Sequence, residues 1–233
     1  MNLAILQARM SSTRLPGKVM APVLGQPMIF RQLERLARAS RIDRLLVATS
    51  ADPSDDPLAQ ACAERGVAVF RGSLSDVLDR FAGALSTVPE ADTIIRLTAD
   101  CPLADAAVLD QVIAHHLATG ADYTNNTVPE RTYPHGLDVE VMRAGALLDA
   151  WRDARDPDER EHVTPYIYRR PELFRLESFA RSPSLAHLRW TVDLPQDLDF
   201  VREVYARLYP ANPAFRSDDV VALARNSSEG RTT

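Results

Sequence analysis

Long apolar runs are missing from this 233-residue chain. Cysteine is reduced to two residues, and of 27 basic side chains only one is a lysine. No stretch approaches the roughly 20 apolar residues that a membrane span requires, so membrane partners are not expected. The opening Met1-Asn2-Leu3-Ala4-Ile5-Leu6 has neither the basic flank nor the long apolar region of a secretory signal, and a cytoplasmic protein is expected. Cys62 and Cys101 form no spacing motif and are expected as reduced thiols. There is no basic excess either. A net charge of −5 argues against a general nucleic-acid binder and for a small-molecule partner. Neither G-x-x-x-x-G-K-[ST] nor G-x-G-x-x-G occurs, and there is no internal repeat.

What is there is an alternation of apolar runs and helical periodicities. Strands are expected at 3–7, 44–49, 67–70 and 93–98, with helices at 28–39, 57–65, 76–86 and 105–119. This order predicts an α/β fold: a doubly wound, mostly parallel sheet with helices on both faces. The rhythm changes after residue 121. Strands are expected at 121–125, 137–142, 173–179 and 188–192, and helices at 145–155, 158–169, 196–208 and 217–225. One domain over 1–225 is the simplest account, with a nucleotide-binding half (1–120), a mixed half for the second substrate and oligomerisation (121–225), and a disordered tail at 226–233.

The first strand runs into Gln7-Ala8-Arg9-Met10-Ser11-Ser12-Thr13-Arg14-Leu15-Pro16-Gly17-Lys18. Ligands of open α/β sheets bind at the carboxyl ends of strands, and this loop leaves the first strand there. It carries three cations (Arg9, Arg14, Lys18), three hydroxyls, and Gly17 for close backbone approach. A triphosphate needs that set: planar guanidinium forks, a compact ammonium, and backbone N–H groups. The sole lysine of the chain sits in this loop. Asp100 directly follows the strand at 93–98, and Asp193 ends the run at 188–192. Two carboxylates from distant parts of one sheet could meet at one site, and hard oxygen ligands of this kind suit Mg²⁺ on a triphosphate. Asp197 and Asp199 fit the first turn of the following helix, where negative charge suits its dipole.

The run QARMSSTRLPGKVM resembles the N-terminal signature of the CMP-sugar synthetases, the 3-deoxy-manno-octulosonate and acylneuraminate cytidylyltransferases. The similarity is greatest to their relatives of spore coat polysaccharide biosynthesis. It continues through RGSLSDVLDRF (71–81), RLTADCPL (96–103), YPHGLDVEV (133–141), EREHVTPYIY (159–168) and RWTVDLPQDLDFVREVY (189–205). The resemblance implies a nucleotidyltransferase that joins CMP from CTP to a sugar or sugar acid and releases pyrophosphate. It implies that Asp100 and Asp193 hold the magnesium, that Arg71-Gly72-Ser73 and Thr98 line the nucleotide, and that the protein is a homodimer. Ser73 and backbone near Ala8 are candidates for selecting the pyrimidine; Ser75 and Asp76 serve equally as a helix cap.

Acceptor contacts are expected from Tyr133, His135, Asp138, Glu140, Glu161 and His162, with His162 or Asp138 as proton acceptor. Glu140 reads equally as a structural carboxylate, and Arg131 and Arg160 are available for a sugar carboxylate. His115, His116 and His187 read as structural, as do Trp151, Trp190, Tyr166 and Tyr168. Two other functions stay open: a glycosyltransferase that consumes a nucleotide sugar, against which stands the lack of a D-x-D pair at a strand end, and a nucleotide-binding module without catalysis.

Overall fold

The computed structural model describes residues 1–229. The chain opens with β1 (Asn2–Gln7), whose Leu3, Ala4, Ile5 and Leu6 are all fully buried. Burial on both faces is what a central parallel strand requires: Ala4 and Leu6 enter one core, Leu3 and Ile5 the other. A long loop and a 3₁₀ turn (Lys18–Met20) lead to the ribbon of β2 (Pro22–Val23) and β3 (Gln26–Pro27). Then follow α1 (Met28–Leu36), β4 (Arg44–Ser50), a 3₁₀ turn (Pro53–Asp55), α2 (Asp56–Glu64), β5 (Val69–Gly72), α3 (Val77–Ser86), β6 (Thr93–Thr98) and α4 (Ala106–Thr119). The second half brings β7 (Tyr123–Asn125), β8 (Glu140–Arg143), α5 (Ala144–Asp153), α6 (Pro157–His162), α7 (Pro165–Tyr168), β9 (Leu176–Ser178), α8 (Pro195–Leu208) and α9 (Ser217–Glu229).

Among the described residues seven strands form one sheet, in the order β5-β4-β1-β6-β8-β7-β9. The pairs β1–β4, β1–β6, β4–β5 and β7–β9 are parallel, while β8 runs antiparallel to β6 and β7. Helices α1, α2, α4, α8 and α9 cover one face; α3, α5 and α7 cover the other. From β1 the chain winds outward through β4 and β5, then returns to place β6 on the opposite flank of β1. Such a reversal opens a crevice at the carboxyl ends of the two strands. Gln7 and Thr98 are register partners there, so the loops after β1 and β6 start level.

The strand expected at 67–70 forms at Val69–Gly72, because Val67 N–H first closes α2 on Cys62 O (3.0 Å) behind Gly66 at φ +68°. The helix expected at 158–169 breaks in two. Val163 sits at φ 72°, which ends α6, and Pro165, whose missing N–H suits a first helical position, starts α7. The run 188–192 is extended but is not a strand of the sheet. It makes a single bridge, Arg189 to His135; Gly136 turns away at φ +102°, and Leu137 N–H, the next donor on that side, closes on Pro134 O (3.2 Å) instead. The last helix, expected to stop at 225, continues to Glu229. Of the tail expected at 226–233, residues 230–233 lie outside the described ones. No described helix is long and apolar enough to cross a membrane.

His116 is part of the core, as expected. Its ring is buried on α4 and its Nδ1 lies 2.9 Å from Thr124 Oγ1. Burial draws its pKa down to about 4, against about 6.5 in an unfolded chain. The folded state therefore holds a neutral ring, and the unfolded state takes up a proton first as pH falls. Stability should decline from about pH 6.5 towards 4. His116→Gln should flatten the thermal midpoint over that window, and an unchanged slope would show that another group sets it.

Candidate active site

The loop after β1 closes on itself. Met10 O accepts from Ser12 N–H (2.9 Å) and from Gly17 N–H (2.9 Å), and Gly17 takes a left-handed conformation at φ +71° to start the 3₁₀ turn. That turn brings Lys18 back across the crevice. Gln7, Ala8, Arg9, Ser12, Thr13, Arg14, Lys18, Val19, Thr98, Ala99, Asp100, His162 and Asp193 line a cleft of about 310 Å³.

Asp193 reaches this cleft without a strand to carry it. Val192 N–H donates to Asp100 O (2.8 Å), which clips the extended 188–192 run to the loop after β6. Gly136 permits the approach from the other side: a Cβ there would lie 2.9 Å from Trp190 C. Asp197 holds the turn into α8, accepting from the N–H groups of Asp193 and Leu194 (both 2.9 Å).

Lys18 Nζ stands between the two aspartates, 3.1 Å from Asp193 Oδ1 and 3.8 Å from Asp100 Oδ2, and donates to Val192 O at 2.6 Å. Arg14 lies 2.8 Å from Asp193 Oδ1, and Arg189 2.8 Å from Oδ2. Burial alone would raise the Asp193 carboxyl; the bonds from Arg189 and Lys18 and the charge of Arg14 outweigh it and hold the pKa below the usual carboxylate range. Among the described residues no cluster of three or more His, Cys, Asp or Glu could hold a metal by itself. Two carboxylates turned to one cation fit instead a hard divalent ion that completes its shell with phosphate and water.

A second cavity, of about 270 Å³, adjoins the first and shares Thr98 and His162 with it. Glu140 is its buried centre. It accepts from Tyr123 Oη (2.5 Å) and Thr164 Oγ1 (2.5 Å) and pairs with Arg96. Burial opposes the Arg96 charge, but Glu140 prevails and raises its pKa. Burial and the same carboxylate push the Tyr123 phenol well up, which keeps it a donor. Asp138, also on the cavity wall, takes two bonds from Arg131, one of them at 3.0 Å.

A family model described as Cytidylyltransferase matches residues 3–208. The chain belongs to the cytidylyltransferase family. It is 37% identical to the spore coat polysaccharide biosynthesis protein SpsF of Bacillus subtilis, over 96% of this chain and 94% of that protein. It is 29% identical to the 3-deoxy-manno-octulosonate cytidylyltransferase of Geobacter metallireducens, over 88% and 97%. A solved cytidylyltransferase from Leptospira borgpetersenii superimposes with a TM-score of 0.91 at 29% identity, over 98% and 95%.

In this cytidylyltransferase the sequence-derived site divides unevenly. The loop residues, Thr98, Asp100, Asp193 and His162 share one cleft, while Gly17 shapes the loop beneath it. Arg71, Gly72 and Ser73 line neither cavity. The Arg71 guanidinium binds Ser50 O (2.9 Å), Asp52 O (3.1 Å) and Asp56 (2.6 Å). Gly72 is small because Phe70 and Arg80 crowd it, and Ser73 Oγ accepts from Asp76 N–H (3.0 Å). Asp138, Glu140 and His162 border the second cavity; Tyr133 does not, being buried beside Phe179. His135 and Glu161 are exposed and line neither cavity. Arg160 is committed to Asp76, 2.5 Å away.

Sequence reasoning missed Arg189, Arg96, Tyr123 and Thr164. The pairs Arg96–Glu140 and Tyr123–Glu140 span 44 and 17 residues, and only the antiparallel β6–β8–β7 pairing brings them together. No local spacing announces them.

Proposed function

We propose that this cytidylyltransferase moves CMP from CTP onto a hydroxyl of a sugar or sugar acid, with Mg²⁺, for surface polysaccharide or glycan synthesis. The observation that carries the reading is the convergence of Lys18, Asp100 and Asp193 at the crevice between β1 and β6. Bound between Asp100 and Asp193, magnesium would neutralise phosphate charge as the leaving group departs.

The chain's own groups do the rest. Arg9, Arg14 and Lys18 bind the triphosphate and stabilise the charge that collects on pyrophosphate. The acceptor lies in the second cavity, where Glu140 with Thr164 and Tyr123 binds hydroxyls. Its attacking oxygen forms a bond to the α-phosphorus, the bond from that phosphorus to the β-phosphate oxygen breaks, and the acceptor proton passes to a carboxylate or imidazole. His162, common to both cavities, and Asp138, on the wall of the second, are the two candidates, and the pH–rate profiles of Asp138→Asn and His162→Gln separate them. No covalent enzyme intermediate is needed; positioning and electrostatics supply the acceleration.

The same reading places the enzyme in the cytoplasm as a homodimer, with apolar surface such as the exposed Leu173 beside edge strand β9. Light scattering at micromolar concentration checks the dimer. For the activity, a panel of sugars and sugar acids is incubated with CTP and Mg²⁺. Pyrophosphate and a CMP conjugate, the latter seen by mass spectrometry, should appear together, and only when all three are present. Consumption of a preformed nucleotide sugar without either product would overturn the proposal in favour of glycosyl transfer.

A further inference from the structure

Behind the phosphate loop lies a carboxylate that the mechanism above does not use. Asp55, last residue of the 3₁₀ turn after β4, is fully buried. Its Oδ1 accepts from Met10 N–H at 2.6 Å. Its Oδ2 accepts from Ser50 N–H at 3.0 Å and Ser50 Oγ–H at 2.5 Å. Fully burying a carboxylate is costly unless its oxygens are satisfied, so this arrangement needs a reason beyond packing.

The hydrogen-bond ladder of the sheet suggests one. β1 pairs with β4 as far as Ala8 N–H, which donates to Ala48 O at 3.1 Å. Beyond that point the chain leaves the sheet, and Arg9 is the first residue of the loop. The next backbone donor on the β4 side, Met10 N–H, is taken by Asp55. The carboxylate thus extends the ladder by one step and anchors Arg9 from both sides, Ala8 on β4 and Met10 on the side chain.

The charge of Asp55 acts on a second buried group. Arg80 on α3 is 1% exposed and donates to Ser73 O at 2.9 Å. Its Nε has no hydrogen-bond partner among the described residues. Burial lowers its pKa to about 10, Asp55 works against that, and Arg9 adds to it. Gly72 leaves room for Arg80: a Cβ there would lie 3.1 Å from Arg80 Cγ.

We propose that Asp55 is a positioning residue for triphosphate binding: it fixes the start of the phosphate loop so that the Arg9 guanidinium meets the phosphates. This rests on the assignment of the loop to the triphosphate, and it is tested by binding rather than turnover, so that a wrong acceptor or reaction does not affect the result. Affinities of Asp55→Ala, Asp55→Asn and Arg9→Ala for CTP and for CMP are measured by calorimetry with Mg²⁺. Asp55→Ala should weaken CTP by about tenfold to a hundredfold, the worth of one charged hydrogen bond, and CMP by less than about threefold. Asp55→Asn keeps the volume and one carbonyl oxygen but not acceptors for all three donors. It should fold and show a smaller loss of the same kind, which preserves the test if the alanine variant does not fold. The double variant with Arg9→Ala should add little to Arg9→Ala alone.

Equal losses for CTP and CMP, full additivity with Arg9→Ala, or unaltered CTP affinity in Asp55→Asn would each overturn the role of Asp55. Unaltered CTP affinity in Arg9→Ala itself would instead overturn the assignment of the loop.

Discussion

Lys18→Met should weaken CTP binding by about 10²-fold or more and CMP binding by less than about threefold. Methionine keeps most of the length and apolar stem of lysine and removes only the ammonium. The side chain is 11% exposed, and its ammonium touches Asp193, Val192 O and, at longer range, Asp100. Each charge-assisted hydrogen bond lost costs about 1.5–3 kcal/mol, and the triphosphate tail is the part of the nucleotide that offers a cation several oxygens. Titration calorimetry with CTP, CDP and CMP gives the three affinities. A loss shared equally by CTP and CMP would place Lys18 near the base or ribose and sink its phosphate role. Arginine should not rescue the variant, because a planar fork is wider than the space between two carboxylates allows.

The two aspartates should differ in what they cost. Asp100→Asn should lower turnover by about 10²–10³-fold, the range for removing one group that stabilises developing charge, and leave the thermal midpoint within about 1 °C. Its ionic contact with Lys18 is long, at 3.8 Å, and the backbone bond from Val192 uses the carbonyl and survives the change. Asp193→Asn should cost as much turnover and should also destabilise the fold. Lys18, Arg14 and Arg189 all converge on this carboxylate, and its loss leaves three cations facing one another. Arg14 and Arg189 are largely in water, which moderates the penalty to about 1–2 kcal/mol, or a few degrees for a chain of this size. Differential scanning fluorimetry beside a pyrophosphate assay reads both quantities. Full turnover in either variant would remove the metal assignment.

The sign of the Asp193 shift makes a companion expectation. A carboxyl whose pKa is held below its unfolded value near about 3.9 contributes its stability above that pH, and the contribution is lost as pH falls towards the folded value. The difference in midpoint between wild type and Asp193→Asn should therefore narrow under acid.

The half of the site that local chemistry builds was legible in the sequence. β1 holds an unbroken apolar run, Leu3–Leu6, ending at Gln7, β6 is a mostly apolar run interrupted by Arg96 and followed by Asp100, and a loop with three cations and a turn glycine follows the first. Parallel strands of this kind must lie side by side in a doubly wound sheet, so the convergence of their ends follows from the fold. Asp193 was reached for a partly mistaken reason. The Leu188–Val192 run reads as a strand, yet the chain there is held by one bridge to His135, by the close approach of Gly136 and by a backbone bond to Asp100 O, none of which has a periodic signature. The nucleotide role expected of Arg71-Gly72-Ser73 came from the resemblance; in the structure the segment follows β5, two strands from the crevice, and Arg71 binds the turn after β4. Glu140 was readable as a sugar ligand or a structural carboxylate. Its three partners come from β6, β7 and the break before α7, and no spacing within the sequence distinguishes the two.

Because the chain has a single ε-amino group, set among carboxylates at the mouth of the nucleotide cleft, amine-acylating reagents have just one lysine to find. Acylation there would add a known mass and abolish the positive charge in one event, and a nucleotide lying over the group would shield it. The mass of the Lys18 peptide after a brief exposure to such a reagent, which separates that group from the α-amine of Met1, thus becomes a readout of cleft occupancy that needs no identified acceptor.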